Sequence, residues 1–430
     1  MLFKNINFLD ENFHVQENQF VGIKDRKIAY IGSERPAENY GEEYDGKGKI
    51  LLPGFYNAHS HSPMTLLRGY GENLSLADWL NTRIFPFEDK LNGHDVYYAT
   101  LLAAAEMLRF GIVSTSDMYY FCQDMSEALL LSGVKCNLSR GTTCFDDSNY
   151  WDLAAAKETQ AVFEQYHRAG DGRILIDVSL HAEYTSNPQI ARNISEHCQK
   201  LGAIMHIHLS ETQSEVQQCK ERHQGLTPPQ YFAQIGLLDN PVLAAHCVWL
   251  EGDDFDLLAE KKASIATCPK SNLKLASGIA DIVKIKQKGI NLALGTDSVA
   301  SNNNLNMLEE MKLFALLHKG SQQDPTLITP QEAWQAATLA GAKAQGRDNC
   351  GLIKLGYQAD LQVWEVSAPY WQPVHNLLNN SLYSACGTDV VLTMVDGQVL
   401  YQNGEYKTID LEKVYFEVEK SRQRILSELK

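Results

Sequence analysis

The 430-residue sequence predicts an α/β fold: a (β/α)8 TIM barrel joined to a small composite β-sandwich built from both ends of the chain. Three observations predict it. Apolar strand-like runs alternate with helical stretches through the middle of the chain, the two ends read as short strands, and metal-ligand residue types recur where the apolar runs stop. Continuous apolar strands alternating with helices indicate a parallel sheet buried on both faces. The strand candidates are 51–59, 112–117, 134–140, 174–181, 203–209, 242–246, 264–267 and 290–295, with helices between them at, for example, 93–110, 150–168, 188–200 and 305–319. Eight such units point to a closed barrel. A doubly wound open sheet shares the alternation. The chain carries neither the G-x-G-x-x-G nor the G-x-x-x-x-G-K-[ST] loop that would support one.

The first 50 residues hold alternating apolar positions punctuated by polar residues and glycine, a strand pattern too short to bury a core alone. After a helical stretch at 330–345 the pattern returns at 359–366 and 390–399, with a turn signal at Asp396-Gly397. The expected division is residues 1–52 and 351–430 for the composite β-domain, the latter ending in a charged amphipathic helix from 410 to 430, and 53–350 for the barrel.

Composition narrows the function classes. Hydrophobic residues make up 44% and charged residues 21%, as in ordinary globular proteins. The net charge of −15 argues against general affinity for nucleic acid or anionic membrane, and no apolar run approaches a membrane span. The nine cysteines are scattered and include no C-x-x-C, which is neither a disulfide framework nor a thiolate zinc site. With no apolar leader in MLFKNINFLDENF, the expectation is a cytoplasmic protein with reduced thiols.

The chemistry centres on LLPGFYNAHSHSPMTLLR, residues 51–68. Residues i and i+2 of a strand face the same side, so His59 and His61 aim two imidazoles at one point. In a β/α barrel the chemistry lies at the C-terminal strand ends. There the sequence places His181, His206 and His208 with Glu211 (AIMHIHLSE), His246 (AAHC) and Asp297 (LALGTDS). Of the pair His206 and His208, the latter lies nearer the strand end and is the better ligand; His206 reads as a packing group behind it. His14, His94, His167, His197, His223, His318 and His375 fall on predicted surface helices or loops. Three nitrogen ligands, one carboxylate and an open position make a hydrolytic centre, because a metal ion lowers the pKa of bound water toward neutrality. A carboxylate such as Glu211, just past a ligand, can shuttle a proton.

The motifs P-G-F-x-N-A-H-S-H, H-I-H-L-S-E-T, A-H-C and G-T-D-S together resemble the amidohydrolase superfamily along essentially the whole chain. HSHSPM followed by LRG, LADWL, FPFE, CPKSNLKLASG and GTDSVASNNNLNMLEEMK is most similar to the 5′-methylthioadenosine/S-adenosylhomocysteine deaminase family. The resemblance implies one divalent metal per subunit, zinc by default with iron or manganese compatible, held by His59, His61, His208 and Asp297. It implies that Glu211 protonates the purine, His246 orients the nucleophile and Asp297 also takes the water proton. Glu88 would receive the ribose hydroxyls, His181 the purine ring, and Arg140 would face the 5′ substituent. The implied partners are a small nucleoside and further copies of the chain in a homo-oligomer. Two departures stand out. The next arginine after Arg140 is Arg168, on a predicted helix, whereas some members have a second arginine nearby. Glu183 stands where many members have proline. Two other functions share these motifs: an aminohydrolase or chlorohydrolase of another N-heterocycle, for which a ribose-binding Glu88 is pointless, and a barrel that has lost its metal and only binds.

Overall fold

The computed structural model describes residues 1–429. Seventeen strands run in chain order: β1 (Leu2–Leu9), β2 (Val15–Lys24), β3 (Lys27–Gly32), β4 (Glu43–Asp45), β5 (Lys49–Pro53), β6 (Phe55–Ser60), β7 (Ile112–Tyr119), β8 (Lys135–Thr142), β9 (Ile174–Leu180), β10 (Met205–Leu209), β11 (Val242–His246), β12 (Ser264–Thr267), β13 (Asn291–Leu294), β14 (Leu361–Glu365), β15 (Val390–Val395), β16 (Gln398–Gln402) and β17 (Glu405–Tyr406). Strands β6 to β13 form one parallel sheet in which each strand pairs with the next. Helices separate them, as the apolar runs predict. Their starts are written locally: Asn92 and Asp95 form a capping box for Gly93–Arg109, and Asn187 caps Pro188–Leu201, whose proline occupies the first helical turn.

The barrel closes at its C-terminal rim. The Asp297 N–H donates to the His59 carbonyl at 2.9 Å, and the Asn57 side chain bridges to the Thr296 hydroxyl (2.7 Å) and N–H (2.9 Å). Gly295 permits this approach: a Cβ there would lie 2.8 Å from His59 Cβ and 3.0 Å from His59 N.

The remaining nine strands form a mixed sheet in the order β17-β16-β15-β14-β5-β1-β2-β3, with β4 beside β1. The two ends of the chain meet where β14 pairs antiparallel with β5. Phe3, Ile6, Phe8, Leu361, Val363 and Leu392 are among the buried residues of this sheet's own core. Asp396 and Gly397 both adopt positive φ and turn β15 into β16, as the turn signal predicts.

Three expectations are corrected. The single strand expected at 51–59 is two strands in two sheets, β5 and β6, parted at Gly54. The Gly54 N–H donates to the Asp360 carbonyl (2.9 Å), and a side chain there would sit 2.3 Å from Val113. The 330–345 stretch is two helices, Pro330–Ala337 and Leu339–Ala344, broken at Thr338. Finally, His197 and His318 are buried, not superficial. His197 is held between the Tyr150 hydroxyl (2.8 Å) and Gln160 (3.0 Å), which meets both ring nitrogens.

The terminal helix, Leu411–Glu428, packs on helix Gly93–Arg109 of the barrel, with Val414 and Ile425 buried and Arg424 paired with Asp95. Between barrel and mixed sheet sits a buried ion network: Lys135 Nζ lies 2.5 Å from Asp360 and 2.7 Å from Asp396. Arg26 and Arg173 also bind Asp396. All nine cysteines are free thiols, eight of them buried and Cys386 exposed. No helix among the described residues is long and apolar enough to cross a membrane.

Candidate active site and metal centre

The structure brings His59, His61, His208, His246, Glu211 and Asp297 together at the C-terminal rim of the barrel. His59 ends β6 beside His61. His208 is on β10, with Glu211 three residues further. His246 ends β11, and Asp297 follows β13. Ser210, His246, Cys247 and Asp297 all hold positive φ. Such backbone is costly for non-glycine residues and concentrates at functional sites; here it turns the strand ends inward over the barrel mouth.

The donor set fits a divalent cation. His61 and His208 donate from Nδ1 to the carbonyls of Met118 (2.6 Å) and His181 (2.7 Å), which leaves each Nε2 with a lone pair. These two Nε2 atoms are 3.3 Å apart, and Asp297 Oδ1 is 3.5 Å from His59 Nε2 and 3.4 Å from His61 Nε2. His59 Nε2 is buried with no hydrogen-bond partner, while its Nδ1 pairs with His206 Nε2 at 2.9 Å. An imidazole orphaned in this way beside three more donors is what a metal ligand looks like when only protein atoms are counted. His206 thus stands behind His59.

Electrostatics agree at His59 and His208; at His61 burial is outweighed by the Asp297 carboxylate, which raises the pKa to about 8. Burial drives the His59 pKa down to about 3 and His208 well below its ordinary value, so both stay neutral. Burial alone would raise the Asp297 pKa, but the neighbouring His59 and His61 imidazoles outweigh it and hold the carboxyl well below the usual range. The other oxygen, Oδ2, accepts from Ser271 (2.5 Å) and Ser301 (2.9 Å), which fixes the rotamer. Glu211 is pushed the opposite way, its pKa raised chiefly by burial. It accepts from the Ser277 hydroxyl (3.2 Å) and lies 3.7 Å from His246 Nε2. His246 Nδ1 donates to Asn272 (2.9 Å), so its ring is oriented from behind.

These groups floor a cleft whose walls include Trp79, Tyr119, Tyr184 and Leu275. His181 and Glu88 line the same cleft. Glu88 sits at the end of Phe85–Glu88, one of two short helices flanking a π-helical turn, Leu80–Ile84, that closes one side. Burial raises its pKa to about 7. Arg140 does not line this cleft. It borders an adjoining outer pocket together with Glu88, its Nε 2.7 Å from Glu158. Glu183 is buried and turned away, its carboxylate bound by Arg222 and His223. Sequence reasoning missed the supports: Asp117, which accepts the Ser62 N–H just after His61 (3.0 Å), and Ser271, Asn272 and Ser301. Ser271 and Asn272 lie in CPKSNLKLASG and Ser301 in GTDSVASNNNLNMLEEMK, quoted for resemblance but carrying no ligand-type residue that spacing could single out.

A closed parallel barrel with four ligand-type groups and two acid–base groups at its C-terminal rim defines a metal-dependent hydrolase. Residues 50–400 match the family described as the amidohydrolase family. The chain is 40% identical over 420 residues to the 5-methylthioadenosine/S-adenosylhomocysteine deaminase of Dictyoglomus thermophilum, covering 98% of this chain and 97% of that one. It is 38% identical over 411 residues to the 5′-deoxyadenosine deaminase of Methanosarcina acetivorans, covering 96% and 94%. Among solved structures, an adenosine deaminase from Xanthomonas campestris with bound zinc superposes with a TM-score of 0.92 at 29% identity, covering 99% and 98%. The chain belongs to the amidohydrolase family.

Proposed function

We propose that the protein is a hydrolytic deaminase that replaces the 6-amino group of an adenine nucleoside with oxygen and releases ammonia. The observation that carries the reading is that Glu88, a half-buried carboxylate, faces the same cleft as the buried Glu211. A ribose offers two neighbouring hydroxyl donors, which one carboxylate accepts together, whereas a free base offers none. The deaminase names of the relatives at 38–40% identity support the same reaction.

His59, His61, His208 and Asp297 would hold one divalent ion, zinc by default, which would supply a water acidic enough to attack at neutral pH. Asp297, ionised, accepts the proton of the attacking water. Glu211, its proton affinity raised by burial, gives its proton to the ring nitrogen beside C6 and neutralises the charge that addition places on the ring. His246, oriented by Asn272, stabilises the new C6 oxygen. Asp297 passes the proton it took from water to the amine, which leaves as ammonia, and the C6 hydroxyl returns a proton to Glu211 as the 6-oxo group forms. His181 contacts the purine, Glu88 binds the ribose hydroxyls, and Arg140 borders the 5′ end. The free thiols suit a cytoplasmic setting.

The test is ammonia release by the zinc-loaded protein from adenosine, 5′-methylthioadenosine, S-adenosylhomocysteine, adenine, guanine and a chlorotriazine, with metal content measured in parallel. Release from the nucleosides alone is expected. Release from a free base or the triazine alone would overturn the nucleoside reading and the role of Glu88.

A further inference from the structure

The outer pocket beside the cleft says which nucleoside this chain takes. Phe85, Glu88 and Tyr120 border both spaces. A nucleoside with its purine over Glu211 and its ribose on Glu88 therefore sends its 5′ substituent into the outer pocket. That pocket has aromatic walls, Phe85, Tyr120, Phe121 and Phe145 among them.

Its one cation among the described residues, Arg140, is already committed on three sides. Nε donates to Glu158 Oε2 at 2.7 Å, Nη1 donates to the Gly141 carbonyl, and the guanidinium lies 4.5 Å from the centre of the Tyr120 ring. Glu158 is itself anchored, its other oxygen accepting the Cys122 N–H at 2.6 Å. The acids Glu88 and Asp89 also border the pocket. With Arg140 neutralised by Glu158 and the acids Glu88 and Asp89 at the border, a carboxylate brought here would lose water against a cation already shared. A short thioether or methyl group loses nothing comparable and gains contact with aromatic faces.

We propose that this chain selects adenine nucleosides whose 5′ substituent is short, neutral and apolar over those whose tail ends in an amino-acid carboxylate. The inference rests on the deaminase reading above. Its test is kcat/KM for 5′-methylthioadenosine, 5′-deoxyadenosine and S-adenosylhomocysteine, with the wild-type protein and with Glu158→Gln, which removes the negative charge paired with Arg140. The wild-type protein is expected to favour the first two substrates at least tenfold. Glu158→Gln is expected to narrow that gap by tenfold, through the S-adenosylhomocysteine value alone. Product inhibition of the wild-type protein supplies a second readout if the variant does not fold: 5′-methylthioinosine should inhibit at least tenfold more tightly than S-inosylhomocysteine. A wild-type preference for S-adenosylhomocysteine, or an unchanged ratio in a folded Glu158→Gln, overturns the inference while leaving deamination intact. Failure to deaminate any of the three nucleosides overturns the deaminase reading, and the inference with it.

Discussion

Glu211 and Asp297 lie in one cleft with their proton affinities moved apart, one raised and one lowered. Separation of that kind is what the proposed reaction asks of an acid and a base sharing one site. Glu211→Gln keeps the shape and every ligand but removes the transferable proton. Its metal content should equal that of the wild-type protein while kcat falls about 10²–10⁴-fold, the usual worth of general acid catalysis; unaltered turnover would remove Glu211 from the proton path. A second titration belongs to stability. Asp177 on β9 is buried, accepts from Asn137 at 2.9 Å, and has its pKa raised by burial to about 7. In the unfolded chain it ionises near its ordinary value, so between roughly pH 4 and 7 the folded state binds the extra proton. Its contribution is therefore whole at pH 4 and is lost as the pH rises to 7. Against the wild-type protein, Asp177→Asn should lose less stability across that interval, by up to about 4 kcal/mol in urea titrations. The convergence of His59, His61 and His208 with Asp297 was legible in the sequence because a two-residue strand period and a position at strand ends need no tertiary knowledge. The commitment of Arg140 was not: Glu158 lies on the next helix, and nothing in its spacing says that the two meet.

At the scale of elements, the seam between β6 and β13 carries the site. Asp297 closes the barrel through its N–H and faces His59 and His61 through its carboxylate. Gly295→Ala forces a Cβ to 2.8 Å from His59 Cβ and must part the seam slightly. It should cost about 1–3 kcal/mol in thermal unfolding, the range for overpacking, and should also weaken metal retention under a chelator, a pairing of effects that a substitution elsewhere in the core would not produce. Eight parallel strands were legible from apolar runs bounded by turns. The expected domain boundary after residue 52 falls inside 51–59, but the break of that strand was not legible, because both halves are apolar and the break depends on how closely Val113 and Asp360 approach Gly54. Glu183 shows the same limit: its burial depends on Arg222 and His223, about forty residues away in the chain.

At the scale of the whole molecule, barrel and mixed sheet are joined through Lys135, Asp360 and Asp396. A buried pair of this kind adds little over apolar packing, but removing one partner strands the other charge. Lys135→Ala leaves Asp360 without its cation and should destabilise the protein by about 3–5 kcal/mol, measured by denaturant unfolding. The double variant in which Asp360 is also neutralised should recover part of that loss.

The seam has a consequence for how the molecule is made. The ligand-type groups come from the first, fifth and last barrel strands, and the last of them, Asp297, is also the residue that shuts the ring. A ribosome releasing this chain has already delivered both N-terminal histidines long before residue 297 emerges, yet the full coordination set cannot assemble until the ring is shut. The four groups would therefore face one another only once the ring is shut, and a chain cut short before residue 297 would lack the carboxylate among them.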